Sequence, residues 1–253
     1  MSHFIPQFEP GEAAKAAIQW LYLPYKWCIY LPLMVLSTNI AALLLIAYCL
    51  LGGKRLIRII PVLWARFNAR IVPASVSVEG REHITPGQSY VVVANHQSHF
   101  DIFAIYGWLG IDLRWVMKKE LRTIPVFGYA CEVMGQVIID RSNHEQAMAS
   151  IAAAKARINN GTSIMFFPEG TRSLDGQLLP FKAGAFKFAQ ELGLPILPVT
   201  IRGSHEILPS KTIRLQPGHM EVIVHSPIQV DEHSTVEALA GQARSAIQSG
   251  LNP

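Results

Sequence analysis

Apolar residues dominate the start of the chain. From Ile29 to Leu51, 23 consecutive residues carry no charged side chain, and Gly52-Gly53 ends the run. As an α-helix this run would be about 34 Å long, against about 30 Å for the hydrocarbon core of a bilayer. A cleaved signal peptide is a poor interpretation, because the run starts late and is too long. The pattern predicts a hydrophobic membrane anchor that either spans the bilayer or, given Pro32 and Asn39, re-enters it.

The next segment, Lys54 to Val72, has the pattern of an amphipathic helix interrupted by Pro61. Its arginines fall on one stripe, opposite an apolar face. The stripe consists of Arg55, Arg58, Arg66 and Arg70. We expect this helix to lie in the headgroup region with its arginines toward anionic lipid, and a helix packed on the folded domain is the alternative. Because the basic cluster follows the apolar run, the positive-inside rule places the rest of the chain on the cytoplasmic side.

From residue 75 onward, after a predicted turn at Pro73-Ala74, β-branched runs alternate with helical patterns. The predicted strands are Ser89–Ala94, Leu113–Met117, Gln136–Ile139, Ser163–Phe167, Ile196–Ile201 and Met220–Val224. The predicted helices are Ser98–Leu109, Ser142–Asn160, Ala183–Leu192 and Val236–Gln248. This order predicts an α/β fold with a central mixed sheet flanked by helices. We therefore divide the chain into membrane-associating helices in residues 1–74 and one α/β domain in residues 75–253.

Composition narrows the class of protein. The chain is 50% hydrophobic and only 16% charged, with a net charge of +4, whereas soluble domains are about 25% charged. So few charges argue against a disordered chain, a coiled coil or a free nucleic-acid binder. Cys28, Cys49 and Cys131 are widely spaced and include no C-x-x-C pair, so neither a disulfide framework nor a thiolate zinc site is expected. A membrane-associated globular protein in a reducing compartment remains.

Two polar loops follow apolar strands of the predicted sheet. Residues 95–101 read NHQSHFD and residues 167–173 read FPEGTRS. The signatures of serine hydrolases, P-loop NTPases, Rossmann dehydrogenases and zincins are absent from the sequence. Because α/β sheets bind their ligands at the carboxyl ends of strands, both loops should face one crevice.

Within the first loop, His96 and Asp101 have the spacing of a catalytic pair. His96 precedes the predicted helix and Asp101 lies about one turn inside it. The carboxylate can therefore accept a hydrogen bond from the imidazole, which fixes the tautomer and leaves the other ring nitrogen free as a base. We expect His99, by contrast, to be a residue of the helix surface.

Four motifs in order resemble those of the glycerolipid acyltransferase family. They are the His96-x4-Asp101 pair, Gly135–Arg141, Phe167–Arg172 and Ile196–Val199, with Met117–Leu121 and Pro180–Gly184 also as in the family. The resemblance covers residues 75 to about 230. It is strongest to the bacterial members that acylate 1-acylglycerol 3-phosphate, and the apolar N-terminus is similar to the family's membrane-associating helices.

The resemblance implies a role for each motif residue. His96 would deprotonate the acceptor hydroxyl, and Asp101 would orient His96. Cationic side chains would bind the acceptor's phosphate, namely Arg141 and Arg172 with Lys119 and Lys182. Glu169 would orient the glycerol hydroxyl or support Arg172. Gly170 and Thr171 would shape the loop, and backbone N–H groups near Gly170 would face the oxyanion.

The implied reaction transfers a fatty acyl chain from acyl-CoA or acyl carrier protein to lysophosphatidic acid, forming phosphatidic acid in phospholipid biosynthesis. It uses no metal and no cofactor besides the thioester co-substrate. The implied location is the inner, cytoplasmic membrane with the catalytic domain facing the cytoplasm, with anionic lipids and not nucleic acid as partners. Two alternatives are an acyltransferase of this family acting on another lysophospholipid, glycerol 3-phosphate or an amine lysolipid, and a non-catalytic lipid-binding membrane adaptor.

Overall fold

The computed structural model describes residues 22–52, 56–140, 153, 158 and 161–252. Within these residues, seven strands form one sheet in the spatial order β1-β7-β6-β2-β5-β3-β4. The strands are β1 (Ala74–Glu79), β2 (Val91–Ala94), β3 (Asp112–Lys118), β4 (Val137–Ile139), β5 (Thr162–Phe166), β6 (Ile196–Arg202) and β7 (Gly218–Val224). Neighbours pair in parallel except β6 and β7, which are antiparallel. The predicted mixed α/β sheet is confirmed.

Helices cover both faces of the sheet. They are α1 (Leu31–Leu50), preceded by a π-helical turn at Lys26–Tyr30, then α2 (Leu56–Arg70), α3 (Phe100–Trp108), α4 (Phe127–Val133), α5 (Gly184–Leu192), α6 (Ser204–Ile207) and α7 (Val236–Leu251). Short 3-10 turns cover Arg81–His83 and Lys119–Thr123. The core on one face includes side chains of α2 and α3, and the core on the other face includes side chains of α5 and α7. Of the helix predicted over Ser142–Asn160, only Ala153 and Ile158 belong to the described residues.

The centre of the sheet is built from continuous apolar runs. The four residues of β2, Val91–Ala94, are fully buried, as are Ile196, Leu197, Val199 and Ile201 of β6. A strand covered by helices on both faces has no polar side to alternate with, so its residues form an unbroken apolar run. That signal is strong in the sequence, and the six predicted strands are all present with ends within two residues of the prediction.

β1 is the strand that the sequence pattern missed. It begins at Ala74, inside the predicted turn, and pairs in parallel with β7 at the edge of the sheet. Its Ser-Val-Ser-Val alternation is short and partly exposed, which is typical of an edge strand and also of a loop. The strand therefore depends on its pairing with β7, a contact between residues far apart in the sequence.

The N-terminal helix is long and apolar enough to cross a membrane. It extends over Tyr22–Leu50, 29 residues that include an 18-residue stretch with a mean hydropathy of 2.2. Large apolar side chains along it stay exposed to solvent, including Leu36 at 56% and Leu44 at 55%. The helix ends in a turn at Gly52, whose φ of +77° requires a residue without a side chain. Such an exposed apolar helix indicates membrane association.

Helix α2 connects this anchor to the α/β domain. Ala65 and Ala69 are fully buried in the core shared with α3. On its other side the indole N–H of Trp64 donates to the hydroxyl of Thr38 on α1 at 3.0 Å. Because small side chains allow close helix approach, α2 packs as a layer between the anchor and the domain.

The arginines of α2 do not share one environment: two of them contact the α/β domain, and Arg70 is exposed. The Nε–H of Arg66 donates to the carbonyl of Gly107 at 2.7 Å, at the end of α3. Arg58 forms an ion pair with Asp112 at 3.2 Å while remaining largely exposed. The predicted orientation is therefore wrong for Arg66 and is only partly kept by Arg58, and Arg55 lies outside the described residues. The alternative, an amphipathic helix packed on the domain, describes α2 at Arg66 and Arg58, which contact the end of α3 and the start of β3.

Candidate active site

Two loops leave the same edge of the sheet side by side, because β2 and β5 are parallel neighbours. The first loop starts at Asn95, whose side chain forms two hydrogen bonds of 2.8 Å with the backbone of Ile201 on β6. The second starts at Phe167. The backbone N–H of Ser173 donates to the carbonyl of His96 at 2.8 Å. The loops thus form one connected unit, as the sequence predicted from their position after strands.

His96 and Asp101 are in direct contact. The Nδ1 atom of His96 lies 2.8 Å from Oδ2 of Asp101. The same oxygen accepts the backbone N–H groups of Gln97 at 2.8 Å and Ser98 at 2.9 Å, just ahead of α3. Asp101 is fully buried, and the imidazole is 16% exposed. Since a carboxylate can only accept, Nδ1 carries a proton and Nε2 is the ring nitrogen that can take up another.

The imidazole of His96 also lies flat against an aromatic ring. Its centroid is 3.8 Å from that of Phe167, and the two rings are tilted by only 8°. Phe167 in turn contacts Trp115 of β3, with ring centroids 5.5 Å apart. His96 is therefore restrained at an edge by Asp101 and on a face by Phe167.

Glu169 holds the two loops together. Its Oε1 accepts the backbone N–H of His96 at 2.7 Å, and its Oε2 accepts the backbone N–H of Leu179 at 2.9 Å. The residue is only 3% exposed. Both carboxylate oxygens therefore accept backbone N–H groups, one of them that of His96, so Glu169 supports the loop that carries the base. Its expected role toward the glycerol hydroxyl or Arg172 stays a prediction.

Burial has an electrostatic consequence for Glu169. Loss of hydration raises the pKa of its carboxyl to about 7, and the two backbone hydrogen bonds offset this rise only in part. A carboxyl with a raised pKa in the folded protein is protonated over a pH range in which the unfolded chain has lost the proton. Folding is then favoured toward the acidic end of that range.

Glu169→Gln should remove a pH-dependent part of the stability. The ordinary pKa is near 4.5 and the folded value is about 7, so the free energy of unfolding should fall by about 2 kcal/mol between pH 5 and pH 7 on account of this group. Denaturant titrations in detergent at both pH values should show this fall in the wild type and not in Glu169→Gln. Glu206→Gln, at an exposed position, is the matched control, and a fall unchanged in Glu169→Gln would contradict the assignment.

Two of the predicted phosphate ligands belong to the loop after β5 or cross it: Arg172 is part of the loop, and Lys182 crosses it at Gly170. The ammonium of Lys182 crosses Gly170 so closely that a Cβ there would meet Nζ at 2.8 Å. Gly170 has a φ of +73°, so the loop needs glycine for both its conformation and this close approach. Arg172 is half-buried and Thr171 is exposed. The predicted loop-shaping role thus has a physical basis at Gly170.

The other two predicted phosphate ligands, Lys119 and Arg141, are not part of this loop. Lys119 follows β3 and pairs with Asp140 at 2.5 Å, so its charge is already partly neutralised. Arg141 lies outside the described residues. Lys119 is thus already engaged by an acidic partner among the described residues, and its assignment to a phosphate stays a prediction.

The N–H of Gly170 is one of the predicted oxyanion donors, and it already has an acceptor. The N–H of Gly170 itself donates to the carbonyl of Phe167 at 3.0 Å and closes the turn. An oxyanion donor must be free to point at the reacting atom. The assignment is therefore not supported for the N–H of Gly170.

His99 is exposed where α3 begins, as expected for a surface residue. Although the residue as a whole is exposed, desolvation of the ring and, second, the charge of Arg172 lower the pKa of His99 to about 4. A neutral imidazole beside Arg172 adds no charge to this part of the crevice.

Sequence reasoning left one contact of the site unassigned. Phe167 belongs to one of the motifs, but nothing in the sequence shows that its ring lies against His96. The available signal was its place directly after a buried strand and next to the Glu-Gly-Thr-Arg segment. Because β2 and β5 are parallel neighbours, the ring that follows β5 contacts a side chain that follows β2, which here is His96.

A model of the acyltransferase family matches residues 75–202, half of the chain. The chain belongs to the acyltransferase family. In this acyltransferase the matched span runs from β1 to the end of β6 and contains both loops of the site.

Curated relatives of the acyltransferase come from plants and animals. A chloroplastic 1-acyl-sn-glycerol-3-phosphate acyltransferase of Brassica napus is 35% identical over 193 residues, which are 75% of this chain and 54% of the relative. The human 1-acyl-sn-glycerol-3-phosphate acyltransferase alpha is 33% identical over 175 residues, or 68% of this chain and 62% of the relative. The chain thus spans little more than half the length of these relatives.

A solved structure is similar over nearly the whole acyltransferase. The crystal structure of PlsC, the 1-acyl-sn-glycerophosphate acyltransferase of Thermotoga maritima, matches with a TM-score of 0.78 and 26% sequence identity. The match covers 94% of this chain and 96% of that one. The architecture described above, with its N-terminal helices, therefore has a known counterpart.

Proposed function

We propose that this acyltransferase is a membrane-associated 1-acylglycerol-3-phosphate O-acyltransferase that forms phosphatidic acid in phospholipid biosynthesis. The observation that carries the proposal is the buried Asp101 carboxylate on Nδ1 of His96, next to the loop that presents Arg172. The names of the curated relatives and of the structural neighbour support lysophosphatidic acid as the acceptor.

The chemistry requires one base. Nε2 of His96 takes the proton of the acceptor hydroxyl while its oxygen attacks the thioester carbonyl. The tetrahedral intermediate collapses, the carbon–sulfur bond breaks, and the proton on Nε2 passes to the leaving thiolate. Asp101 stabilises the imidazolium that exists between the two proton transfers. Because the thiolate leaves readily, no covalent acyl-enzyme and no cofactor beyond the thioester are needed, and acyl-CoA or acyl carrier protein can supply the acyl chain.

The acceptor's phosphate carries close to two negative charges and needs cationic partners. Arg172 is part of the loop after β5, and the ammonium of Lys182 crosses the same loop at Gly170. We assign them, with Lys119 and Arg141, to this phosphate. Guanidinium groups bind phosphate through two parallel hydrogen bonds, so Arg172 is expected to contribute most to acceptor selection.

Arg172→Ala should lower kcat/KM for lysophosphatidic acid about ten- to a hundredfold, which corresponds to a charge-assisted contact of about 1.5–3 kcal/mol. Arg172→Lys should recover part of the loss. Monoacylglycerol, which lacks the phosphate, is the control acceptor, and its poor use should change little. Steady-state kinetics with both acceptors decide the matter, because equal proportional losses would mean that Arg172 supports the fold and not the phosphate.

Membrane association is expected through the exposed apolar face of the N-terminal helices, at the cytoplasmic side of the inner membrane and with anionic lipids as neighbours. Leu43 and Leu44 are each 55% exposed on α1. Replacing both with lysine should move much of the protein from the membrane to the soluble fraction, since lysine is costly in an apolar phase. The double change Gln242→Lys with Ser245→Lys, at exposed positions of α7, adds the same charge and should leave membrane binding intact. Equal behaviour of the two variants in fractionation would contradict an apolar interface on α1.

One assay tests the proposed reaction. The purified protein in detergent is offered acyl-CoA and acyl carrier protein donors with lysophosphatidic acid, other lysophospholipids, glycerol 3-phosphate and an amine lysolipid, and products are identified by mass. Phosphatidic acid is the expected product. A clear preference for another acceptor would replace the proposed substrate, and no transfer to any acceptor would favour a lipid-binding adaptor.

A further inference from the structure

We propose that Phe167 is a positioning residue for acyl transfer, which keeps the ring of His96 in its reactive orientation and stabilises the imidazolium formed in the reaction. This inference rests on the proposed function. It assigns to a side chain at the end of β5 a task that the dyad of His96 and Asp101 does not perform by itself.

The first step of the argument is geometric. One hydrogen bond, from Nδ1 of His96 to Asp101, fixes the position of one ring atom but allows the ring to rotate about that bond. Phe167 removes this freedom, because its ring lies parallel to the imidazole at 3.8 Å with a tilt of 8°. Parallel rings at this separation have atoms in van der Waals contact. Nε2 is then held in one direction before substrate binds.

The second step is that Phe167 is itself held in place. Its ring contacts Trp115 at 5.5 Å, and Trp115 contacts Tyr106 at 5.0 Å. The hydroxyl of Tyr106 accepts a hydrogen bond of 2.9 Å from the amide of Gln136. The support behind His96 is therefore a packed row of three aromatic rings rather than a single side chain. The rings come from the residue after β5, from β3 and from α3, and Gln136, the residue before β4, holds the last of them.

The third step is electrostatic. When Nε2 of His96 takes the proton of the acceptor, the ring becomes a cation whose face lies against the electron-rich face of Phe167. Aromatic faces attract cations, and they attract them more strongly where water is excluded. The imidazole is only 16% exposed. Phe167 therefore interacts more strongly with the charged intermediate than with the resting enzyme, which is the condition for accelerating the reaction.

The test compares two substitutions of Phe167, one that removes the aromatic ring and one that keeps it. Phe167→Leu keeps an apolar side chain but removes the aromatic face, and it should lower kcat about three- to thirtyfold with KM for both substrates within about twofold. Phe167→Tyr keeps the face and should stay within about threefold of the wild type. Phe127→Leu, the same change at a half-buried position of α4, is the matched control and should leave kcat near normal.

A double variant separates positioning from a general structural role. If Phe167 acts through His96, Phe167→Leu should cost nothing further in an enzyme that already carries His96→Ala. A further loss equal to that seen in the wild-type background would overturn the proposal. A raised KM with unchanged kcat would also overturn it, because it would place Phe167 against a substrate.

An NMR measurement tests the contact between Phe167 and His96 independently of the proposed function. In protein labelled at histidine, the ring protons of His96, assigned with His96→Ala, should be shifted upfield by Phe167 and should move downfield in Phe167→Leu but not in Phe127→Leu. Absence of that movement would overturn the stacking itself. A wild-type enzyme that transfers no acyl chain to any acceptor but shows the shift would refute the proposed function, and with it the role of Phe167 in acyl transfer, while leaving the ring contact established.

Discussion

His96→Ala should lower kcat by about 10²–10⁴-fold without unfolding the protein. The substitution removes the nitrogen that takes the proton of the acceptor hydroxyl. The imidazole is 16% exposed and its contacts are with Asp101 and Phe167, so the sheet behind it does not depend on the ring. The measurement is kcat for acyl transfer to lysophosphatidic acid, together with a thermal unfolding curve in detergent.

The neighbouring histidine provides the control for this experiment. His99→Ala makes the same chemical change three residues away, at an exposed position beside Arg172. It should reduce kcat by less than about threefold, since His99 has no contact with the proposed base beyond its electrostatic influence. An essential His99 together with a near-normal His96→Ala enzyme would show that the base has been assigned to the wrong ring.

The parts of the fold that could be predicted are those with a local physical cause. β2 and β6 are continuous apolar runs because helices cover both of their faces, and the sequence carries that signal directly. The edge strand Ala74–Glu79 has no such run, and it exists because β7 offers it a partner. Strand order likewise depends on long-range contacts. β5 lies between β2 and β3 in the sheet although it follows both in the chain, and no short sequence pattern encodes such pairings.

The error at α2 has a similar origin. The sequence correctly separates an arginine stripe from an apolar face, but amphipathicity does not say which face meets the protein. The small residues Ala65 and Ala69 allow α3 to approach, and Arg66 then finds the carbonyl of Gly107 within reach. Apolar side chains such as Leu63, 60% exposed, are left on the outside.

At the site, motif order identified the right loops, but not the task of each side chain. The contact between His96 and Asp101 lies within one loop and follows from their spacing. The contacts of Glu169 and Phe167 with His96 cross from β5 to β2, so they depend on the register of two strands about 70 residues apart. For that reason a carboxylate expected to face substrate was found on backbone N–H groups.

The second large loss of kcat is expected on substitution of Asp101, and its cause follows from the hydrogen bonds of that carboxylate. Oδ2 of Asp101 accepts three hydrogen bonds, from Nδ1 of His96 and from the backbone N–H groups of Gln97 and Ser98. Among the described residues Oδ1 finds no partner. In Asp101→Asn the two backbone donors therefore select the amide oxygen for the Oδ2 position, because an NH2 group there would face two N–H groups.

Asp101→Asn should consequently keep the tautomer of His96 and lose only the charge. The amide oxygen still accepts the Nδ1 proton, so Nε2 stays available as the base, but the imidazolium loses its carboxylate partner. A neutral hydrogen bond is about half as strong as a charge-assisted one, so kcat should fall by a clearly smaller factor than in His96→Ala measured under the same conditions. Nitrogen NMR of the labelled ring should find the proton on Nδ1 in both the wild type and Asp101→Asn. A proton on Nε2 in the variant, with a loss as large as that of His96→Ala, would mean that the amide presents its NH2 group to the ring and that the backbone donors do not control its orientation.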